Sequence, residues 1–205
     1  LSKAINKDQH MAWLNVAKII DVTQAEGPGL RTAIWVQGCL KRCVGCCNGQ
    51  FLKIQPADVC DSKMIIEQIA QNQQQYGIEG VTFLGGEPFL QAEGLADVAQ
   101  ACRKMGLSVM VFSGYQLEEL DDARFKGASQ LLKVTDVLVD GEYQQALIEN
   151  VRNWVGSTNQ RFHYFTDFYD VSIETRSLTV TNEWRIDAQG NILGNGLPFI
   201  LKANN

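Results

Sequence analysis

Four short apolar runs in this chain each break off at glycine or a small polar residue, and helical stretches lie between them. Residues 32–37 (TAIWVQ) run into Gly38, 81–84 (VTFL) into Gly85-Gly86, 107–112 (LSVMVF) into Ser113-Gly114, and 136–139 (DVLV) into Asp140-Gly141. Between them, 62–76 places Ile65, Ile66, Ile69 and Ala70 on one helical face, with Ser62 as the expected N-cap. Leu95, Val98, Ala99, Cys102 and Met105 form a second helical stripe that Gly106 ends, and 116–120 begins a shorter helix. Strands of this length alternating with helices specify βα units and a parallel sheet. In such sheets ligands bind beyond the carboxyl ends of the strands. The order of elements therefore predicts that four glycine-rich strand ends meet on one face.

The rest of the chain frames this unit. Residues 13–20 read as a further strand, joined to 32–37 through the Glu26-Gly27-Pro28-Gly29 turn. After residue 150 the alternation stops. Residues 171–193 read as a hairpin, with a strand at Thr179, Val180 and Thr181 and a turn at 187–191 (DAQGN). The glutamine tract at 71–75 is expected on a solvated helix face. A length of 205 residues suits one domain with an appendage: a core over 11–165, an extension over 166–205, and a leader or expression remnant over 1–10.

Composition excludes several classes. Apolar residues make up 45% and charged residues 20%, as in an ordinary globular protein. The formal net charge is -5 without any Lys/Arg run, so a nucleic-acid partner is not expected. No apolar stretch reaches membrane-spanning length and the first residues lack a signal-peptide core, so the expectation is no membrane and a cytoplasmic location. Disulfides are rare there, and clustered cysteines point to metal binding or catalysis.

Four of the six cysteines fall in GCLKRCVGCCN, residues 38–48. Cys39, Cys43 and Cys46 have C-x3-C-x2-C spacing, with Cys47 adjacent to the last. A loop this short can present three sulfurs to three corners of an iron–sulfur cluster, leaving one iron open. A zinc knuckle that recruits Cys47 is the rival, although neighbouring side chains point apart and zinc sites favour two separated cysteine pairs.

The motif resembles that of the radical S-adenosylmethionine enzymes, and the resemblance spans roughly residues 13–165. Glu26-Gly27-Pro28-Gly29-Leu30-Arg31 is similar to a stretch upstream of the cysteines in activating enzymes of glycyl-radical proteins. Gly85-Gly86-Glu87-Pro88 matches the family's GGEP motif. Residues 111–115 (VFSGY), 138–141 (LVDG) and 156–161 (GSTNQR) resemble segments of anaerobic ribonucleotide reductase activating proteins. The resemblance implies an α/β fold, a partial (βα)6-type open barrel with a small C-terminal antiparallel extension. It implies a 4Fe–4S cluster on Cys39, Cys43 and Cys46, with S-adenosyl-L-methionine chelating the open iron. Cofactor binding would fall to Gly85, Gly86 and Glu87 at the methionine amino group, Ser113 near the ribose or carboxylate, and Gly45 beside the adenine. No catalytic residue beyond the cluster ligands is implied. Reductive cleavage would give methionine and a 5′-deoxyadenosyl radical, which takes a hydrogen atom from a backbone glycine of a partner enzyme. A flavodoxin- or ferredoxin-like reductant is implied.

Other residues have plainer readings. Cys60 and Cys102 are expected as structural thiols, Cys47 as a bystander, Trp35 as core and His163 as a packed histidine among aromatics. Asp140 fits a turn or a ligand site, and Arg161 and Asn159 fit cofactor contact or loop bracing. Arg31 is expected to make a salt bridge or face a partner. Two alternatives stand: a radical S-adenosylmethionine enzyme that modifies a peptide or small metabolite, and a zinc-binding interaction module.

Overall fold

The computed structural model describes residues 12–186, 188–190 and 192–196. The leader expected at 1–10, the ends of the expected turn at Asp187 and Asn191, and residues 197–205 lie outside the described residues.

The strands of the main sheet are β1 (Trp13–Thr23), β2 (Arg31–Val36), β3 (Asp58–Asp61), β4 (Gly80–Gly85), β5 (Ser108–Phe112), β6 (Val137–Asp140) and β7 (Arg161–Tyr164). They lie in the order β3-β1-β2-β4-β5-β6-β7. The parallel neighbours are β2, β4, β5 and β6; β1 and β3 join antiparallel on one side and β7 on the other. Chain length explains the edges. Parallel strands need a crossover of about a dozen residues or more. The turn between β1 and β2 is shorter than that, so β1 pairs antiparallel. The α/β class of the sequence expectation holds, with the parallel run confined to the four strands whose ends were singled out.

Helices α1 (Ser62–Tyr76), α2 (Ala92–Lys104) and α3 (Ala128–Lys133) belong to the larger core. There Ile65, Ile69, Leu95, Val98 and Leu131 join Ile34, Phe83, Val111 and Leu138 of the strands. Alternate strand residues face the other side of the sheet: Ala33, Trp35 and Leu84 in one cluster, Met110, Val137 and Val139 in another. Burial on both faces is why these strands read as continuous apolar runs. Cys60 and Cys102 are buried in the larger core, and Trp35 is buried on the opposite face.

Some local expectations shift. Asp61, not Ser62, caps α1: its Oδ1 accepts from Lys63 N at 2.8 Å, and Ser62 is the first helical residue. In the glutamine tract, Asn72 is buried and donates to Thr32 Oγ1 at 3.0 Å, while Gln71, Gln74 and Gln75 are exposed.

Beyond β7 the chain passes across the amino-terminal ends of the parallel strands, opposite the predicted site. The Tyr169 hydroxyl lies 3.0 Å from Ser108 Oγ, and Ile173 of α4 (Ser172–Thr175) packs in the cluster that holds Met110 and Val155. A hairpin of β8 (Asn182–Ile186) and β9 (Ile192–Gly196) follows. The hairpin expected from the sequence is present, but its first strand starts at Asn182, after Thr179–Thr181. Side chains anchor it to the end of β1. Arg185 Nη2 donates to Val22 O at 2.6 Å, and Asn195 Nδ2 to Thr23 Oγ1 at 3.0 Å. Glu26 Oε1 accepts from Gly196 N at 2.6 Å.

Arg31 corrects its expected role. It heads β2 at this floor, is fully buried, and makes no ion pair among the described residues. Its guanidinium donates to Thr82 Oγ1 (2.8 Å), Pro28 O (2.8 Å), Val81 O (2.6 Å) and Ser108 Oγ (3.0 Å). The fixed fork of donors suits this ring of carbonyls and hydroxyls, so Arg31 closes the floor rather than meeting a partner.

Candidate cofactor site

The four predicted strand ends do meet, because β2, β4, β5 and β6 are parallel neighbours in that order. The closest junction joins the glycine pair to the residue before the first cysteine. Gly86 N donates to Val36 O and Glu87 N to Gly38 O, each at 2.8 Å. A Cβ on Gly86 would stand 2.3 Å from Gly38 O, and one on Gly85 would stand 2.7 Å from Trp35 Cα. Gly85 also has φ 108°, a region that favours glycine. Both glycines are thus required for backbone to touch backbone. Gly86→Ala is expected to lose about 3 kcal/mol in urea unfolding, since the obstructing atoms are main chain and cannot rotate away.

Glu87 ties this junction to the next strand. Its side chain is fully buried at the end of β4. Oε1 accepts from Ser113 Oγ at 2.9 Å and Phe89 N at 3.0 Å, and Oε2 from Gly114 N at 2.9 Å. Burial pushes its pKa up to about 7 despite these hydrogen bonds. The carboxylate is committed to holding β5 against β4. Ser113, read from the sequence as a cofactor contact, is one of its partners.

The cysteine loop leaves β2 through Gly38 and returns along 49–52. Gly38 N donates to Phe51 O at 2.8 Å and Cys39 N to Leu52 O at 3.1 Å. Positive φ at Gly38 (101°), Arg42 (53°) and Gly45 (76°) lets the chain turn tightly between the thiols. Cys39 is buried, Cys43 and Cys46 are half-buried, and Cys47 is exposed.

The donor chemistry fits an iron–sulfur cluster. The backbone turns tightly around the three spaced thiols: Cys46 N donates to Cys43 O and Gly49 N to Cys46 O, each at 3.2 Å. The loop contains no His, Asp or Glu to compete as a ligand. Among the described residues no group of three or more His, Cys, Asp or Glu is placed to hold a metal ion. The neighbouring Cys47 thiol pulls the Cys46 thiol down to about 6.

At the end of β6, Asp140 is internal. Burial raises its pKa, but hydrogen bonds from Arg161 and Leu117 N, with His163 close by, hold it below the usual carboxylate range. Arg161 Nη2 donates to Asp140 Oδ2 at 2.6 Å and to Glu118 Oε2 at 2.8 Å. His163 Nε2 stands 2.9 Å from Asp140 Oδ2 and its ring stacks near Phe165. Asn159 Nδ2 donates to Glu142 O at 2.8 Å. Arg161 and Asn159 thus brace loops. Sequence reasoning passed over Lys41, Tyr115, Glu119, Glu142 and Tyr143. Lys41 and Tyr115 lie inside segments read for their neighbours, Glu119, Glu142 and Tyr143 carry no motif, and only the docking of the loops brings the five to the cysteines.

A profile of the 4Fe-4S single cluster domain family matches residues 25–163, more than half of the chain. The chain belongs to this family, in its branch of radical S-adenosylmethionine activating enzymes, whose cofactors are a 4Fe–4S cluster and S-adenosyl-L-methionine. Particular relatives share one name. The anaerobic ribonucleoside-triphosphate reductase-activating protein of Vibrio cholerae is 30% identical over 159 residues, 75% of this chain and 99% of the relative. The protein of that name from Escherichia coli K12 is 29% identical over 159 residues, 74% of this chain and 99% of the relative. Among solved structures, QueE from Escherichia coli aligns with 60% of this chain and 68% of its own, at 18% identity and a TM-score of 0.42. The extension after β7 lies beyond the matched profile. No helix among the described residues is long and apolar enough to cross a membrane.

Proposed function

We propose that this chain activates an anaerobic ribonucleotide reductase by generating a radical on a backbone glycine of that enzyme. The observation that carries the reading is the direct docking of the Gly85–Glu87 backbone on Gly38, one residue before the first cysteine. When bound together, a 4Fe–4S cluster and S-adenosylmethionine would supply one-electron reductive cleavage of the cofactor, the source of the hydrogen-abstracting radical this reading needs.

The chain's own residues bind and aim. Cys39, Cys43 and Cys46 would hold the cluster. Gly85 and Gly86 would bring main chain up to the methionine end of the cofactor. Glu87 and Ser113 would keep that end in place by holding β4 to β5. Gly45, whose Cβ position lies 3.4 Å from Tyr143, would leave room beside the adenine. Residues 11–165 would carry the chemistry, with 166–205 as an extension. A one-electron carrier of flavodoxin or ferredoxin type would supply the electron.

The test is anaerobic. The reconstituted, reduced protein is mixed with S-adenosylmethionine and the candidate reductase, and the glycyl radical is sought by electron paramagnetic resonance. A glycine-centred doublet is expected. Cofactor cleavage without that doublet would move the substrate to a peptide or small metabolite. A colourless, zinc-loaded protein would overturn the reading.

A further inference from the structure

The loop that carries the three cysteines is held to neighbouring strand ends by a side chain of its own. Lys41 lies between Cys39 and Cys43, and its side chain is only 19% exposed. Its Nζ sits 4.4 Å from the centre of the Tyr115 ring, 3.4 Å from both Glu119 carboxylate oxygens and 3.9 Å from Glu142 Oε2. Tyr115 and Glu119 follow β5, and Glu142 follows β6. The lysine stem crosses above Gly114, where a Cβ would stand 3.4 Å from Lys41 Cγ and 3.6 Å from Glu87 Oε2. Leu40, Arg42 and Val44 on either side are exposed. Among the described residues, Lys41 carries the ion pairs of the loop between the cysteines.

We propose that Lys41 is a positioning residue for radical generation: it pins the cysteine loop, and with it the cluster, over the ends of β5 and β6. An ammonium set over a buried ring between two carboxylates is attracted from three sides, and the partial burial strengthens each attraction. The backbone bonds at 38–39 and 51–52 fix the ends of the loop; Lys41 fixes its middle. Gly114 suits the design, since a side chain there would press on the lysine stem. This inference rests on the cluster reading above.

The test pairs two readouts. In the full chain before reconstitution, an arginine-specific protease probes Arg42. Lys41→Met keeps the stem but drops the charge, and is expected to speed cleavage at Arg42 about ten-fold. In the reconstituted enzyme, the same variant is expected to hold its full iron content. Its kcat for S-adenosylmethionine cleavage should fall about ten-fold with KM nearly unchanged, and its reduced-cluster resonance should broaden. Lys41→Arg, which keeps the cation, is expected to restore the sharp resonance and most of kcat. If Lys41→Met folds poorly, the Glu119→Gln/Glu142→Gln pair on the more exposed carboxylates must show the same pattern. Wild-type protease sensitivity together with a wild-type resonance in the charge-free variants would overturn the proposal. A wild-type chain that binds no cluster would overturn the functional reading instead, and the protease arm would still decide the role of Lys41 as a pin.

Discussion

Cys46→Ser is expected to leave the reconstituted protein without iron and sulfide and without S-adenosylmethionine cleavage, whereas Cys47→Ser keeps both. The two residues are neighbours, so the pair controls for local disturbance. Cys39 is buried and Cys43 and Cys46 are half-buried, whereas Cys47 is exposed and falls outside the C-x3-C-x2-C spacing. Serine differs from cysteine by one atom, so Cys47→Ser should stay within about two-fold of wild type in cleavage rate, the range of an ordinary surface substitution. Iron and sulfide analysis with the visible spectrum reads the outcome. If Cys47→Ser also emptied the site, three-ligand coordination would be wrong and a closed four-cysteine site would replace it.

Glu87→Ala has the second large effect. It strips acceptors from the Ser113 hydroxyl and the N–H groups of Gly114 and Phe89 at a fully buried position. Leaving such groups unpaired costs about 3 to 5 kcal/mol, and the ends of β4 and β5 lose their tie. Urea unfolding should show the loss, and S-adenosylmethionine cleavage should fall with it. The pH dependence gives an independent reading. Burial raises the Glu87 pKa from 4.5 to about 7. Between those values the folded chain holds a proton that the unfolded chain has released, so stability declines as pH rises through the window and levels off above it. The shift corresponds to about 3 kcal/mol at most. Glu87→Gln cannot titrate, so its stability should fall less than wild type between pH 4.5 and pH 7. An identical slope in both would show that Glu87 titrates normally.

The legible part of the site was local. Close backbone approach demands glycine, and Gly85 and Gly86 stand where a Cβ would collide with main chain. Three thiols within eight residues can be read as one ligand set, whatever the rest of the chain does. Strands buried on both faces show as apolar runs, so the parallel strands were recoverable while the short edge strands β3 and β7, with partly exposed faces, were not. The cap of α1 moved by one residue because Asp61 and Ser62 are both good caps, and geometry alone selects between them.

Charge pairing over long separations was not legible. Arg31 reads as a salt-bridging or partner-facing residue and is instead buried without an ion pair among the described residues, because its partners are carbonyls and hydroxyls brought together by strand pairing. Asp140 is matched to Arg161 only once β7 folds back beside β6. Lys41 finds Tyr115, Glu119 and Glu142 only when three loops share one end of the sheet. Spacing and steric demand act along a few residues, so the sequence by itself determined the α/β class, the clustering of the cysteines in one loop and the glycine junction. The partners of buried charges are set by which strand ends become neighbours, and that only the tertiary structure decided.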